Sequence, residues 1–234
     1  IPRASVSFQS FLKESSPNSI YLHDADENEI RKIILGLKDG APGYDDICVK
    51  PMVHTLVEII HPIVHLCNLS LSQGCFPEEL KIAEIIPLFK TGETTYFNNY
   101  RPISLLPVFS KIFERIMYNR LYSYLVKFCI LYSHQFGFRK GYSTYMALIC
   151  LVEKLTNAME KGEYGIGIFI DFRKAFDTLD HHILLEKLYH YVIRGTAYNW
   201  LKDYLSKRVQ FVTYNGHEST ETSITCGVPQ GSIL

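Results

Sequence analysis

Residues 165–180 read Gly-Ile-Gly-Ile-Phe-Ile-Asp-Phe-Arg-Lys-Ala-Phe-Asp-Thr-Leu-Asp. An apolar, β-branched run stops at Asp171, and an aromatic follows five residues later at Phe176. The composition predicts a buried strand over 165–171 that delivers a carboxylate at its carboxyl end. Buried acids are costly unless they pair or bind metal. Asp171 is therefore a candidate ligand for a divalent cation, with Phe176 shaping a pocket beside it. Alternation puts Ile166, Ile168 and Ile170 on one face, and Gly165, Gly167, Phe169 and Asp171 on the other. The glycine face leaves room for a close approach or simply packs on a helix. Taken alone, Asp171 also reads as a helix cap after the strand.

The elements on either side set the fold class. Asp24 and Glu27 have capping-box spacing, and Ile30, Ile33, Ile34 and Leu37 share one helical face, predicting a helix to about residue 38. Residues 51–71 read as a helix pair or a kinked helix broken at Pro62. Residues 84–90 read as a strand, with Pro87 placing it at an edge. Residues 108–127 carry a stripe of Ile112, Phe113, Ile116, Leu121 and Leu125, with Arg115 and Arg120 off it. A second long helix is predicted over 143–160, and others near 182–193 and 196–205. Residues 208–226 read as a hairpin turning on Asn215-Gly216. Helices and strands mix without regular alternation, which predicts an α+β fold with a small antiparallel sheet. Asp180 is the expected N-cap of the helix near His182. His54, His61 and His65 lack the cysteine spacing of a zinc site, and Asp177, Asp180, His181 and His182 read as capping rather than as a metal cluster.

Composition narrows the function. The 234 residues are 47% hydrophobic, enough for a sizeable core. No apolar run approaches the roughly 18 residues that a membrane span needs, so no membrane partner is expected. The six cysteines show no CxxC spacing and read as buried free thiols of a reducing, intracellular compartment, nucleus and cytoplasm not being distinguished. Net charge is zero, yet residues 101–140 hold seven basic side chains against one acidic. Such a block reads either as a polyanion contact or as a solvated helix face.

Four segments together resemble the reverse transcriptases of non-LTR (LINE-type) retrotransposons. They are Asn98-Asn99-Tyr100-Arg101-Pro102-Ile103-Ser104-Leu105-Leu106, Gln135-Phe136-Gly137-Phe138-Arg139-Lys140-Gly141, Phe169-Ile170-Asp171-Phe172-Arg173-Lys174-Ala175-Phe176-Asp177 and Gly227-Val228-Pro229-Gln230-Gly231-Ser232. Residues 41–47 and 85–90 resemble the extension that these enzymes carry before the fingers. The likeness runs from about residue 25 onward and is nearest to the jockey and CR1 branches. It implies a right-hand polymerase fold: a loose leader over 1–24, an N-terminal extension over 25–97, fingers over 98–163 and part of the palm over 164–234. The family's Tyr/Phe-x-Asp-Asp hairpin and thumb are expected beyond residue 234, so the chain alone is expected to be inactive.

The resemblance also implies roles. Asp171, with the backbone carbonyl of Phe172, would hold Mg²⁺ in a two-ion site. Arg101 would grip the incoming triphosphate, since a guanidinium is always charged and forked to match phosphate oxygens. Arg139 and Lys140 would assist on the triphosphate or the template. Phe176 would exclude a 2′-hydroxyl and so select deoxynucleoside triphosphates. Gln230 would lie near the nascent base pair, with Gly231 admitting close backbone approach. The implied partners are an RNA template and a DNA primer. The alternative is a non-catalytic retroelement remnant that binds nucleic acid or serves as an interaction module.

Overall fold

The computed structural model describes residues 7–12, 15, 18–172 and 174–234. Most of the expected leader and Arg173 therefore lie outside the described residues. The chain divides into two compact units, residues 1–124 with 174–234, and residues 125–173.

The larger unit holds the core. Helix α1 (Glu27–Leu35) is capped by Asp26, whose carboxylate accepts from the Glu29 N–H at 2.7 Å. The cap is Asp26 rather than Asp24, because Glu29 lies three residues after Asp26 and its own side chain is taken up elsewhere. Ile30, Ile33 and Ile34 are buried as the spacing requires. Helices α2 (Val49–His54) and α3 (Leu56–Gln73) follow. The break between them falls at Thr55, and Pro62 lies inside α3. Pro62 and Glu58 both face solvent, so water can satisfy the Glu58 carbonyl that the proline leaves without a donor.

Strand β1 (Ile82–Phe89) pairs antiparallel with β2 (Tyr100–Leu105), and Pro87 faces Pro102 across the ladder. Neither proline can donate, so this is a rung without hydrogen bonds. Helix α4 (Val108–Lys127) starts in the larger unit. Helices α6 (His181–His190) and α7 (Gly195–Leu205) return the chain to β3 (Val209–Tyr214). Asp180 caps α6 as expected, accepting from the N–H groups of His182 and Ile183. Strand β3 lies parallel to β1 over Ile82–Ile85. The fold is α+β, and its sheet is antiparallel except for this one pair. Short strands β4 (His217–Glu218) and β5 (Thr222–Ser223) fold back antiparallel on β3. Asn215 and Gly216 have φ of 50° and 76°, the conformation that a type I′ turn demands.

Phe76 lies at the centre of the packing. Its ring meets Phe113, Trp200 and Tyr204 edge-on, with centroids 5.1–6.1 Å apart. The Trp200 N–H donates to the Ser70 hydroxyl at 2.9 Å. Asp203 accepts from the Phe76 N–H and from the fully buried Lys81. Each large apolar side chain buried here contributes about 1.5–3 kcal/mol.

Two basic or thiol expectations change. Arg120 is buried rather than solvated, and makes two 2.6 Å hydrogen bonds to the Glu29 carboxylate. It is thus spent inside the fold and is not part of a polyanion surface. All six cysteines are free, but only Cys67 is buried, and burial pushes its thiol up to about 12.

The smaller unit contains α5 (Thr144–Glu160), capped by Ser143. No residue of α5 is buried. The strand expected over 165–171 is not formed. Residues 163–172 have no regular secondary structure, and Ile166, Ile168, Phe169 and Ile170 are 75–90% exposed. A strand exists only if a neighbour takes its N–H and C=O groups. Among the described residues, none pairs with this segment. The glycine face has no backbone close against it; a Cβ at Gly165 would lie 2.9 Å from the Leu155 side chain of α5, and one at Gly167 3.3 Å from the Phe169 ring.

Candidate nucleotide-binding site

Three segments of the larger unit converge. They are β2, the turn at 174–180 and the loop at 227–231. The Ser104 N–H donates to the Gln230 carbonyl at 2.9 Å. The Val228 N–H donates to the Phe176 carbonyl at 2.9 Å, and the Gly227 N–H to the Leu179 carbonyl at 2.7 Å. The His181 ring bonds the Gly227 carbonyl at 2.6 Å, which fixes Nε2 as the protonated nitrogen. The loop is therefore bonded to both of its neighbours.

Two glycines allow this approach. Gly227 has φ of 80°, and a Cβ there would lie 2.7 Å from the Asp177 carbonyl oxygen and 2.8 Å from that of Phe176. Gly231 has φ of 132°, and a Cβ would lie 2.8 Å from the Ser104 carbonyl oxygen. No L side chain fits either position without moving backbone.

The loop closes one wall of a cleft of about 260 Å³, lined by Pro102, Ser104, Asp177, Gln210 and Gln230. A more apolar cleft of about 520 Å³ is lined by Tyr100, Phe97, Tyr214 and Lys174, and it shares Pro102 and Asp177 with the first. Lys174 Nζ donates to the Asn98 side chain at 3.1 Å. Arg101 is exposed on β2, three residues from Ser104. Phe176 is 42% exposed beside the loop. Of the predicted residues, the larger unit thus brings together the backbone of Phe176 with Gln230 and Gly231, while Arg101 lies on the same strand as Ser104 but on its opposite face.

The other predicted residues belong to the smaller unit. Asp171 and Phe172 are exposed on the unpaired segment. Arg139 is a loop brace here: its guanidinium donates to the Tyr132 carbonyl at 3.1 Å and lies 4.0 Å from the centre of the Tyr142 ring. Lys140 is exposed.

Sequence reasoning did not single out Asp177 as a cleft residue, nor Glu114. Glu114 is 0% exposed in α4. Its carboxylate accepts from the Ser110 hydroxyl at 2.9 Å, the Tyr204 hydroxyl at 3.2 Å and the Ile233 N–H at 2.7 Å. Burial pushes its carboxyl above the usual range, opposed by the Ile233 and Ser110 hydrogen bonds and by the nearby Arg208 charge. One signal was present: Glu114 is the single acid of residues 101–140, and it shares a side of the helix with Met117 and Leu121, three and seven residues on.

Comparison with known proteins fits this geometry. The family pattern described as Reverse transcriptase (RNA-dependent DNA polymerase) matches residues 90–234. The chain is 34% identical over 228 residues to the RNA-directed DNA polymerase from mobile element jockey of Drosophila melanogaster, covering 97% of this chain and 25% of that protein. It is 35% identical over 208 residues to a probable RNA-directed DNA polymerase from transposon X-element of the same species, covering 88% and 23%. Likewise it is 35% identical over 195 residues to one from transposon BS, covering 83% and 21%. The chain spans about a quarter or less of the length of these relatives. Among the described residues, no helix is long and apolar enough to cross a membrane. Family pattern, relatives and the convergence of the motif segments agree, and the chain belongs to the reverse transcriptase family of non-LTR retrotransposons.

Proposed function

We propose that this chain is the nucleotide-selecting part of an RNA-directed DNA polymerase. The reaction is template-directed: a primer 3′-hydroxyl attacks the α-phosphate of a deoxynucleoside triphosphate, and pyrophosphate leaves. The observation that supports this reading is the bonding of the 227–231 loop to β2 on one side and to the 174–180 turn on the other. It joins Phe176 and Gln230 to the strand that carries Arg101. The exposed guanidinium of Arg101 would take the triphosphate, where forked donors match phosphate oxygens. The Phe176 ring would fill the volume that a ribose 2′-hydroxyl needs. Gln230 would contact the base pair being formed. The RNA template and DNA primer are the partners this chemistry implies.

Asp171 offers hard carboxylate oxygen, and the neighbouring Phe172 carbonyl a second oxygen donor, which suits Mg²⁺. Among the described residues no three metal-ligating side chains cluster, and Asp171 is the carboxylate that the motif would contribute. The bound ion would lower the pKa of the attacking hydroxyl and offset charge on the leaving group.

The test is primer extension on an RNA template with deoxynucleoside triphosphates and Mg²⁺, using the product of the reading frame that carries this chain. Asp171→Asn keeps size and removes charge. It is expected to lower kcat by about a thousandfold, equivalent to about 4 kcal/mol. Equal extension by both proteins would overturn the assignment.

A further inference from the structure

Glu114 is a buried carboxylate that the reaction above does not use. It lies mid-helix and fully buried, where an apolar side chain of similar size would pack without the cost of desolvating a charge. Its partners indicate what that cost secures. Ser110 is one turn away on α4, and Tyr204 belongs to α7 in the core. The third donor, the Ile233 N–H at 2.7 Å, is 119 positions away in sequence and follows directly on the segment that carries Gln230.

The ties on the loop are unevenly spread. Those to Leu179, Phe176, His181 and Ser104 all engage residues 227–230. After Gln230, the Ser232 bonds to Pro229 and Leu234 are local. Beyond these, Ser232 engages the Tyr204 hydroxyl of α7, and the Ile233 bond to Glu114 is the tie to α4 on that side. It also closes a ring. Strand β2, bearing Arg101 and Ser104, runs through Leu106 and Pro107 directly into α4. Glu114 on α4 holds Ile233, and Gln230 returns to Ser104. The charge of the buried Arg208 opposes part of the effect of burial on that carboxyl.

We propose that Glu114 is a positioning residue: it locks the 227–233 loop to α4, and so fixes Gln230 relative to Arg101. The proposal rests on the nucleotide-binding role given to Gln230.

Three variants of the full reading-frame product test it. Glu114→Ala removes the acceptor and is expected to raise the KM for deoxynucleoside triphosphate about tenfold, with kcat changed less than about threefold. Glu114→Gln keeps an oxygen for the Ile233 N–H and turns its amide to the Ser110 and Tyr204 hydroxyls, so its KM is expected near wild type. Ile233→Pro deletes the donor without touching the helix and is expected to raise KM as Glu114→Ala does. It decides the matter should Glu114→Ala fail to fold. Hydrogen exchange at residues 231–234 is expected to speed up about tenfold in the Ala and Pro variants, with Ile60 and Ile63 in α3 unchanged. An unchanged KM in Ile233→Pro, or equal impairment by Gln and Ala, would overturn the proposal. Wild-type protein that incorporates no nucleotide would overturn the polymerase reading instead. The exchange rates would then still decide whether Glu114 anchors the loop.

Discussion

The loop at 227–233 and the segment at 163–172 both carry motif residues, but they are held in opposite ways. The loop has no regular structure, yet nearly every turn of it is bonded to a neighbour, from Leu179 and Phe176 through Ser104 to Glu114. The segment has strong β-forming residues, yet among the described residues it has no ladder partner, and its isoleucines face solvent. Order thus follows the supply of partners for backbone groups and not local propensity. The loop proposed to contact nucleotide is organised within the larger unit. Asp171, the proposed metal ligand, is exposed on an unpaired segment of the smaller one.

The largest expected effect comes from placing the same substitution in each region. Gly227→Val adds a β-branched side chain at φ of 80° against two backbone carbonyls. It is expected to destabilise the protein by about 3 kcal/mol or more in urea unfolding. Gly167→Val, where a Cβ would meet only the exposed Phe169 ring at 3.3 Å, is expected to cost less than about 0.5 kcal/mol. Similar costs at both positions would break the contrast.

Next in size is the ion pair that anchors α1 to α4. Arg120 is buried, and Glu29 partly exposed. Arg120→Met is expected to cost about 2 kcal/mol, less than a fully buried pair would. The hydrogen bonds and charge of Arg120 hold the Glu29 carboxyl below its ordinary value of 4.5. A depressed folded-state pKa contributes stability that is present above the ordinary value and lost as pH falls through the folded one. The wild-type urea midpoint is therefore expected to have an acid-side fall, below about pH 4.5, that is absent in Glu29→Gln. The same fall in both would contradict this.

A smaller effect concerns the turn that the loop clasps. Phe176→Ala in primer extension is expected to raise ribonucleotide use relative to deoxynucleotide by about tenfold, since removing the ring opens space for a hydroxyl. Unchanged discrimination would place Phe176 in packing alone.

What the sequence disclosed was local. Asp180 as a cap, Asn215-Gly216 as a type I′ turn and the bounds of α4 follow from neighbouring residues, so a linear reading reaches them. Pro62 misled because its cost depends on which face of α3 meets water. Arg120 read as a surface charge, and Glu114 went unremarked, because their partners, Glu29 and Ile233, are distant in sequence. The strand over 165–171 failed for a related reason: alternation marks residues able to pair, and pairing needs a second strand. The candidate site residues were proposed from the motifs, whereas the bonds that hold the 227–233 loop and the place of Asp177 in the cleft required the fold.

Amide hydrogen exchange followed by mass spectrometry tests the contrast most directly. The account expects residues 164–172 to exchange near the unprotected rate, while the amides of Ser104, Gly227, Val228 and Ile233 are slowed at least about a hundredfold. Protection of 164–172 equal to that of the loop would contradict it, by showing that the segment bearing Asp171 already has a strand partner.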